Sequence, residues 1–392
     1  MQRLSGTTRQ SCRLPDRHRY RECQTAGSGR SEVKRMSDKR ALIAMSGGVD
    51  SSVAAYLMKA SGFECIGCTM KLYQNEDAGI SKGHTCCSLD DMEDARSVAR
   101  ALGMPYYVFN FSDDFREKII HHFIWSYEHG QTPNPCIDCN RYMKFDKLFD
   151  RAKILGCEFV VTGHYARIEN AGGKYILRKA ADISKDQSYV LCTMTQEQLA
   201  HTVFPLGEYR KTQIRQIAGE QGFNNSEKPD SQDICFVPDG DYARVIRLHG
   251  SRAPETGDFI DTDGNVIGTH RGIIRYTIGQ RKGLGLSFQE PHYVCAVDAE
   301  NNTVTLGTSE HLFKRELLAV DFNWISGNPP QKTFRCKAKI RYRQPEQWAS
   351  VSVLEDGRVR VCFDEPQRAI TPGQAAVLYD GDIVLGGGTI ER

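Results

Sequence analysis

The segment Arg40–Met45 (RALIAM) carries a short apolar run, stops on Ser46-Gly47-Gly48 and gives way to a helical pattern from Asp50 to Ala60. A buried strand, a tight glycine turn and a helix together open a βαβ unit. The pattern recurs: Phe63–Met70, Pro105–Asn110 and Phe159–Thr162 read as strands, and Leu89–Leu102, Asp113–Tyr127 and Arg141–Leu155 as helices between them. Strands alternating with helices at this spacing predict an α/β fold with a doubly wound parallel sheet.

Beyond about residue 205 the texture changes. Thr212–Gln221 reads as a helix, and 224–270 is rich in Gly, Pro and Asp, with short strands only. From Ile273 onward, short alternating runs recur between the turn signals Asp356-Gly357, Pro372-Gly373 and Asp380-Gly381. That predicts an all-β barrel or sandwich. The expected organisation is a basic tail over 1–37, an α/β domain over 38–208, a small central domain over 209–276 and a C-terminal β-barrel over 277–392.

Composition narrows the class. With 40% hydrophobic residues a sizeable core can form, yet the longest apolar run is far short of the roughly 18–20 residues that span a bilayer. A membrane enzyme is not expected, and no hydrophobic core of a secretion signal is legible. The net charge of +2 hides an asymmetry: residues 1–35 hold nine Lys and Arg against three acids. The tail has few apolar residues and no periodicity, so it reads as disordered. Met36-Ser37 would make a natural start, leaving the tail untranslated; alternatively, an Arg-rich, acid-poor tail suits an organellar targeting peptide. Fourteen scattered cysteines in a chain of this size point to a reducing compartment, hence the cytoplasm, rather than to a disulfide scaffold.

Ser46-Gly47-Gly48-Val49-Asp50-Ser51-Ser52 brings together two glycines, two hydroxyls and a helix N-terminus. Backbone N–H groups and the positive end of the helix dipole suit a phosphate there. No Lys follows at Walker A spacing. A structural turn with Asp50 as a cap would look similar, but the full string after the first strand favours anion binding.

Thr132-Pro133-Asn134-Pro135-Cys136-Ile137-Asp138-Cys139-Asn140 is a proline-clamped loop ahead of a helix. A thiol near a helix N-terminus is more readily thiolate, so Cys139 is a candidate nucleophile or sulfur carrier. Cys235, within Asp230–Phe236, is a second candidate. Bare spacing alone would favour two buried, inert thiols. Cys65 and Cys68 fall within a strand and face opposite sides, which predicts core packing. The pair His121-His122 reads as surface or packed histidines rather than metal ligands, and Tyr106-Tyr107 read as strand residues.

The string SGGVDSS resembles the signature of the PP-loop ATP pyrophosphatases, which split ATP into AMP and pyrophosphate while adenylating a substrate. TPNP with CN at 132–140, TGHYAR at Thr162–Arg167, KDQSY at Lys185–Tyr189 and SQDICF at Ser231–Phe236 are similar to those of the tRNA-specific 2-thiouridylases of bacteria and mitochondria. So are GQRKGLG at Gly279–Gly285, RYRQ at Arg341–Gln344 and TPGQ at Thr371–Gln374. The resemblance runs from about residue 40 to the end. It implies ATP-dependent 2-thiolation of the wobble uridine of tRNA, with Cys139 as nucleophile and Cys235 as the persulfide-bearing cysteine. It implies an ATP site at Ala44, Met45, Ser46, Gly47, Gly48, Val49, Asp50 and Ser51 with Met70 and Gly163, and a target-base loop at Asn134, Pro135 and Cys136. His164, Lys185, Asp186, Gln187, Arg341, Tyr342 and Gln374 match positions that contact tRNA. The partners implied are tRNA and a sulfur donor, either a cysteine desulfurase or a relay protein.

One departure stands out. The best-known form of the loop has Asp where this chain has Cys136, so a general-base role cannot be carried over; Asp138 lies nearby at another position. Cys136, Cys139 and Cys235 could instead ligate a [4Fe–4S] cluster with one open iron, and plain persulfide chemistry stands beside it. A zinc site would need a fourth ligand, for which Cys86 and Cys87 are candidates.

The chemistry accounts for the parts. Oxide is a very poor leaving group, so AMP is transferred onto the C2 oxygen of uracil, with Mg²⁺ and the loop holding the phosphates. Sulfur then attacks C2 of a base drawn out of its stack. For RNA, Arg335, Lys337, Lys339, Arg341 and Arg343 alternate with other residues and would share one face of a strand. A solvated barrel face would read the same way. Arg271, Arg275, Arg281 and Lys282 form a second basic region. Two other classes compete with thiolation: a PP-loop ligase acting on a small molecule, which has no use for the two cysteines, and an RNA-binding or sulfur-carrier protein without ATP chemistry.

Overall fold

The computed structural model describes residues 39–73, 89–229, 234–237, 240–250 and 255–391. The basic tail over 1–37, the zinc candidates Cys86 and Cys87, and the stretch Asp230–Asp233 leading to Cys235 lie outside the described residues.

Five strands make the first sheet: β1 (Arg40–Ala44), β2 (Glu64–Lys71), β3 (Tyr106–Asn110), β4 (Phe159–Val161) and β7 (Thr202–Val203), in the order β3-β2-β1-β4-β7. All four pairings are parallel. Alternation along β1 explains why both faces are covered. Ala41, Ile43 and Met45 pack with α1 (Val49–Ala60), α2 (Leu89–Ala101) and the helix Lys211–Glu220, while Leu42 packs with Leu148, Phe149 and Ala152. Cys65 and Cys68 follow the same rule, one on each face, and burial pushes the Cys65 thiol up to about 11 and that of Cys68 higher. Their expected packing role holds.

The chain leaves β1 toward β2 and β3 on one side and reaches β4 and β7 on the other. The switch point therefore lies between β1 and β4, where the carboxyl ends of a doubly wound sheet leave a crevice for a ligand. The helical runs over 112–128 and 135–154 flank this end. Each contains wide π turns, over Arg116–Ile120 and over Cys139–Lys147, which helical periodicity does not foretell. Such turns are rare and concentrate at functional sites.

A hairpin unforeseen in the sequence follows β4: β5 (Ala166–Ala171) and β6 (Lys174–Lys179). Its two-residue turn, Gly172-Gly173, has φ of 64° and 90°, the sign that a hairpin turn of this length demands and that glycine adopts without strain. β6 joins β17 (Ile383–Ile390), so the α/β part extends the C-terminal sheet. Asp382 ties them, accepting from Arg167 at 2.8 Å and Arg178 at 2.6 Å.

Strands β8 (Gly257–Ile260), β9 (Val266–His270), β10 (Tyr293–Asp298) and β11 (Thr303–Gly307) form a separate sheet, with β11 parallel to β8. The small domain thus reaches well past the boundary expected near residue 277. The helix Tyr242–His249 before it is also new. From Phe313 the chain forms a closed six-stranded antiparallel barrel, order β12-β15-β14-β13-β16-β17 with β17 returning to β12. Its strands are β12 (Phe313–Trp324), β13 (Thr333–Lys339), β14 (Gln347–Val353), β15 (Val359–Arg368), β16 (Ala375–Asp380) and β17. Closure removes the exposed edges that a sheet of this length would otherwise present. Among the described residues no helix is long and apolar enough to cross a membrane.

Candidate active site

The loop after β1 has the shape a phosphate needs. Gly47 sits at φ +75°, and a Cβ there would lie 2.3 Å from the Asp91 carbonyl oxygen, so only glycine fits. Gly48 caps α1 without any side-chain hydrogen bond, which leaves first-turn N–H groups to an incoming anion. Ser51 Oγ accepts from Ser46 N–H at 3.2 Å and donates to the Gly48 carbonyl at 3.0 Å, closing the turn. Met45 and Val49 are buried anchors on either side, and Met45 N–H donates to the Cys68 carbonyl. Gly163, in the loop after β4, packs directly on the Asp50–Ser51 backbone, where a Cβ would come within 3.0 Å. Ala44 is the last residue of β1 and Met70 the last but one of β2. The ten positions matched to an ATP site by resemblance thus lie at the carboxyl ends of β1, β2 and β4.

Several groups around this loop have no signal in the motif. Lys211 Nζ donates to both Asp50 carboxylate oxygens at 2.8 Å, and the Tyr165 hydroxyl donates to Asp50 Oδ1 at 2.7 Å. Lys228 Nζ reaches Asp91 at 2.5 Å and Asp94 at 2.8 Å, with the Gly47 carbonyl at 3.4 Å. Burial opposes its charge, but the two carboxylates outweigh it and raise its pKa. Asn225 Nδ2 donates to the Gly47 carbonyl and Ser52 Oγ, both at 2.9 Å, while its buried Oδ1 has no hydrogen-bond partner among the described residues. Two ammonium groups therefore stand beside the loop, held by carboxylates with which phosphate oxygens could compete.

The cysteine loop lies at the same end of the sheet. Asn134 Oδ1 accepts from Cys136 N–H at 3.2 Å, and Pro135 occupies the first helical turn, so the proline-rich string is a helix start. Cys136 is exposed, whereas Cys139 and Cys235 are half-buried and free of disulfide. Both pack on one apolar cluster that includes Phe115, Phe123, Phe236 and Val245, and the Cys235 carbonyl accepts from the Tyr73 hydroxyl at 2.5 Å. The two candidate thiols thus share one apolar patch. Among the described residues no three His, Cys, Asp or Glu side chains converge into a group that could hold a metal, so Cys136, Cys139 and Cys235 do not fit a three-thiolate cluster as they stand. His122 pairs with Asp138 at 2.9 Å, and this hydrogen bond, against some burial, raises its pKa.

The positions matched to RNA contact fare differently. His164 is buried: Nδ1 meets Thr162 Oγ1 at 2.7 Å, and Lys144 Nζ lies 3.4 Å from Nε2. Burial, with Lys144 adding to it, holds its pKa well below 6.5. Asp186 ties its own turn through Ala180 N–H and Ser188, Gln187 Oε1 accepts from Tyr165 N–H, and Lys185 closes the short helix Ile183–Lys185. Arg341 donates to the Ile278 and Ala369 carbonyls and to Thr371 Oγ1, and the Tyr342 hydroxyl donates to the Asp186 carbonyl. Gln374 donates to the Thr132 carbonyl at 2.8 Å and the Pro133 carbonyl at 3.3 Å. The expected five-cation stripe is corrected as well: β13 ends at Lys339, so Arg341 and Arg343 leave the strand. Arg335 is bound to Asp364, Lys337 to Glu346, and Lys339 lies over the Tyr189 and Tyr342 rings. Burial lowers the Lys339 pKa.

His164 offers a direct check. Its folded pKa lies below the unfolded value near 6.5, so the unfolded chain binds the extra proton and stability is lost as pH falls through that value. Between pH 7.5 and 5.5 the wild type should lose up to about 1 kcal/mol more unfolding free energy than His164→Gln. Equal losses in urea titrations at the two pH values would place this imidazole in water, within reach of RNA.

Three family models match consecutive stretches: a tRNA methyl transferase HUP domain over 39–239, a tRNA methyl transferase PRC-barrel domain over 247–308 and an aminomethyltransferase beta-barrel domain over 314–390. The tRNA-specific 2-thiouridylase MnmA of Clostridioides difficile (strain 630) is 50% identical over 357 residues, which is 91% of this chain and 99% of that protein. MnmA 2 of Caldanaerobacter subterraneus subsp. tengcongensis is 52% identical, over 91% of this chain and 98% of its own length. The chain belongs to the tRNA-specific 2-thiouridylase family. Membership argues against the small-molecule ligase, and it accounts for the pairing of an ATP loop with two cysteines. Among solved structures, the U34-tRNA thiolase NcsA from Methanococcus maripaludis, determined with its [4Fe-4S] cluster, aligns at 16% identity and a TM-score of 0.36. The alignment covers 59% of this chain and 70% of that one, a likeness too loose to bear on chemistry.

Proposed function

We propose that this 2-thiouridylase family member converts the wobble uridine of tRNA to 2-thiouridine, using ATP and a cysteine persulfide. The observation that carries the reading is the convergence at one sheet end of the Ser46–Ser52 loop, two lysines braced on carboxylates, and Cys139 and Cys235 on a shared apolar patch. The uracil C2 oxygen attacks the α-phosphorus of ATP, and pyrophosphate leaves. Lys211 and Lys228 stand where charge builds on the departing phosphates. Mg²⁺ fits this site if it takes most of its ligands from phosphate and water, with Asp50 as the adjoining carboxylate; it would supply further neutralisation of phosphate charge.

The terminal sulfur of a Cys235 persulfide then attacks C2, and AMP departs with the oxygen. The Cys139 thiolate attacks Cys235 Sγ, which frees the thiocarbonyl and leaves a Cys139–Cys235 disulfide. A thiol reductant supplies two electrons to reopen it, and a cysteine desulfurase or relay protein reloads Cys235. Among the described residues the three cysteines do not gather into a group that could hold an iron–sulfur cluster, and the cycle runs on the Cys139 and Cys235 thiols alone. The cytoplasm, with its reductants and tRNA, suits this cycle.

The test is anaerobic incubation of purified protein with ATP, a persulfide donor and unmodified tRNA, with iron counted in the same sample. Iron-free protein that forms 2-thiouridine and releases AMP and pyrophosphate supports the reading; product formed only by iron-loaded protein overturns the persulfide route.

For tRNA docking, Arg281 and Lys282 are exposed in the GQRKGLG loop. Arg281→Gln/Lys282→Gln should flatten the slope of log Kd against log salt by about 1.4–1.8, since each phosphate contact contributes about 0.7–0.9. An unchanged slope would move the RNA path elsewhere.

A further inference from the structure

The segment around Lys185–Gln187, matched to tRNA contact, is wired to the phosphate loop from both of its ends. Gln187 exchanges two hydrogen bonds with Tyr165: its Oε1 accepts from Tyr165 N–H, and its own N–H donates to the Tyr165 carbonyl, both at 2.9 Å. The Tyr165 hydroxyl in turn donates to Asp50 Oδ1 at 2.7 Å. At the other end, Asp182 accepts from Ser184 N–H at 3.1 Å and so caps the short helix Ile183–Lys185. Its Oδ2 accepts from Lys211 N–H at 3.1 Å, and Lys211 Nζ closes the circuit on both Asp50 oxygens. Two routes thus leave one short segment and end on one carboxylate.

The links of this circuit are dry and its two ends are not. Tyr165 is 2% exposed and Lys211 8%, and the Lys211 ammonium lies 5.8 Å from the centre of the Tyr165 ring. Hydrogen bonds to a carboxylate are the strong kind, and little water competes with these. The Asp50 side chain is 31% exposed, and Lys185 and Gln187 are half-buried. A nucleotide can therefore meet one end and an RNA the other, while the connection between them stays inside the protein. Gly163 holds the loop after β4 against the Asp50–Ser51 backbone, so a shift of Tyr165 has little slack to vanish into.

We infer that Tyr165 is a positioning residue that couples the two substrates: RNA seated on Lys185–Gln187 and ATP held beside Asp50 favour the same arrangement of its hydroxyl, so each binds more tightly when the other is present. The inference rests on the reading of ATP and tRNA as substrates. A buried tyrosine hydroxyl needs a partner in any fold, so a purely structural role is the alternative. That role would change stability without changing how one substrate affects the other. Coupling between sites typically amounts to about 5–150-fold in affinity, and linkage makes it equal in both directions.

The test measures binding of α,β-methylene ATP, which cannot release pyrophosphate, with and without saturating unmodified tRNA, and binding of tRNA with and without the analogue. Wild type should show the same tightening, at least about fivefold, in both directions. Tyr165→Phe keeps the ring and loses only the hydroxyl, and its ratio should fall to within about twofold of unity. A tRNA without a base at the wobble position should still tighten analogue binding by wild type, because it can still sit on Lys185–Gln187. An unchanged ratio in Tyr165→Phe would overturn the inference. So would a wild-type ratio that disappears with the abasic tRNA, since the coupling would then be direct contact between base and nucleotide. Wild type that binds both ligands without coupling sinks the inference alone; wild type that binds neither sinks the functional reading and the inference with it.

Discussion

Cys139→Ser and Cys235→Ser are each expected to lose 2-thiouridine formation by at least about 10³-fold, as variants lacking a covalent participant do. Both should still release pyrophosphate when tRNA is present, because adenylation uses only the phosphate loop and its lysines. Cys136→Ala should remain within about threefold of wild type. Cys136 is exposed on the first helical turn, whereas the other two thiols are half-buried against an apolar patch. Parallel assays of AMP, pyrophosphate and 2-thiouridine on the three variants separate these outcomes. If Cys136→Ala were as inactive as the other two, all three thiols would act together, and the persulfide route would fall.

Asp50→Ala should abolish pyrophosphate release while leaving tRNA affinity nearly unchanged, because Asp50 lies in the phosphate loop and far from the exposed basic loop in sequence. It should also destabilise the fold. Lys211 Nζ is bound to both Asp50 oxygens, and its side chain is only 11% exposed, so removing the carboxylate strands an ammonium with little water. Stranding one member of a fully buried pair costs about 3–5 kcal/mol. Partial exposure of Asp50, at 31%, reduces that to about 2 kcal/mol here. Asp50→Ala/Lys211→Met should recover most of the lost stability and none of the activity, since the second substitution removes the stranded charge. Urea denaturation of the four members of this cycle measures the coupling. Additive losses would show that Lys211 and Asp50 do not support one another.

The wide turn that begins at Cys139 and the patch beneath it give the reaction a physical setting. In the proposed cycle, the apolar wall on which Cys139 and Cys235 pack would keep water from a persulfide and an adenylated base, both of which water can destroy. Those walls come from stretches scattered along the chain: Leu72 and Tyr73, the helical run over 112–128, Met143, the segments 234–237 and 242–249, and Ile274. Their assembly is the work of packing rather than of any local preference.

Local chemistry explains what could be read from the residues alone. The apolar run ending at Ser46-Gly47-Gly48 dictates a strand, a turn and a helix start, because glycine alone accepts φ +75° against the Asp91 carbonyl. Period and turn residues likewise announce the parallel sheet and the β-rich C-terminal part. The hairpin at Gly172-Gly173 carried an equally local signal, two glycines between alternating runs, which the motif around it obscured. Cys139 stood out as a thiol in a proline-clamped string ahead of a helix, while the weight given to it and to Cys235 came from the resemblance of their strings to those of the 2-thiouridylases.

What the residues could not disclose are contacts whose partners lie more than a hundred positions apart. Lys211 meets Asp50 across 161 positions, Lys228 meets Asp91 across 137, and Gln374 meets Thr132 across 242. No periodicity marks such pairs, because each side chain looks like an ordinary surface residue until the fold brings its partner to it. The same holds for the RNA-facing assignments: whether an arginine meets a phosphate or a carbonyl depends on which domain closes over it. Arg341 and Gln374 reach carbonyls distant in sequence, and His164 is buried, for that reason.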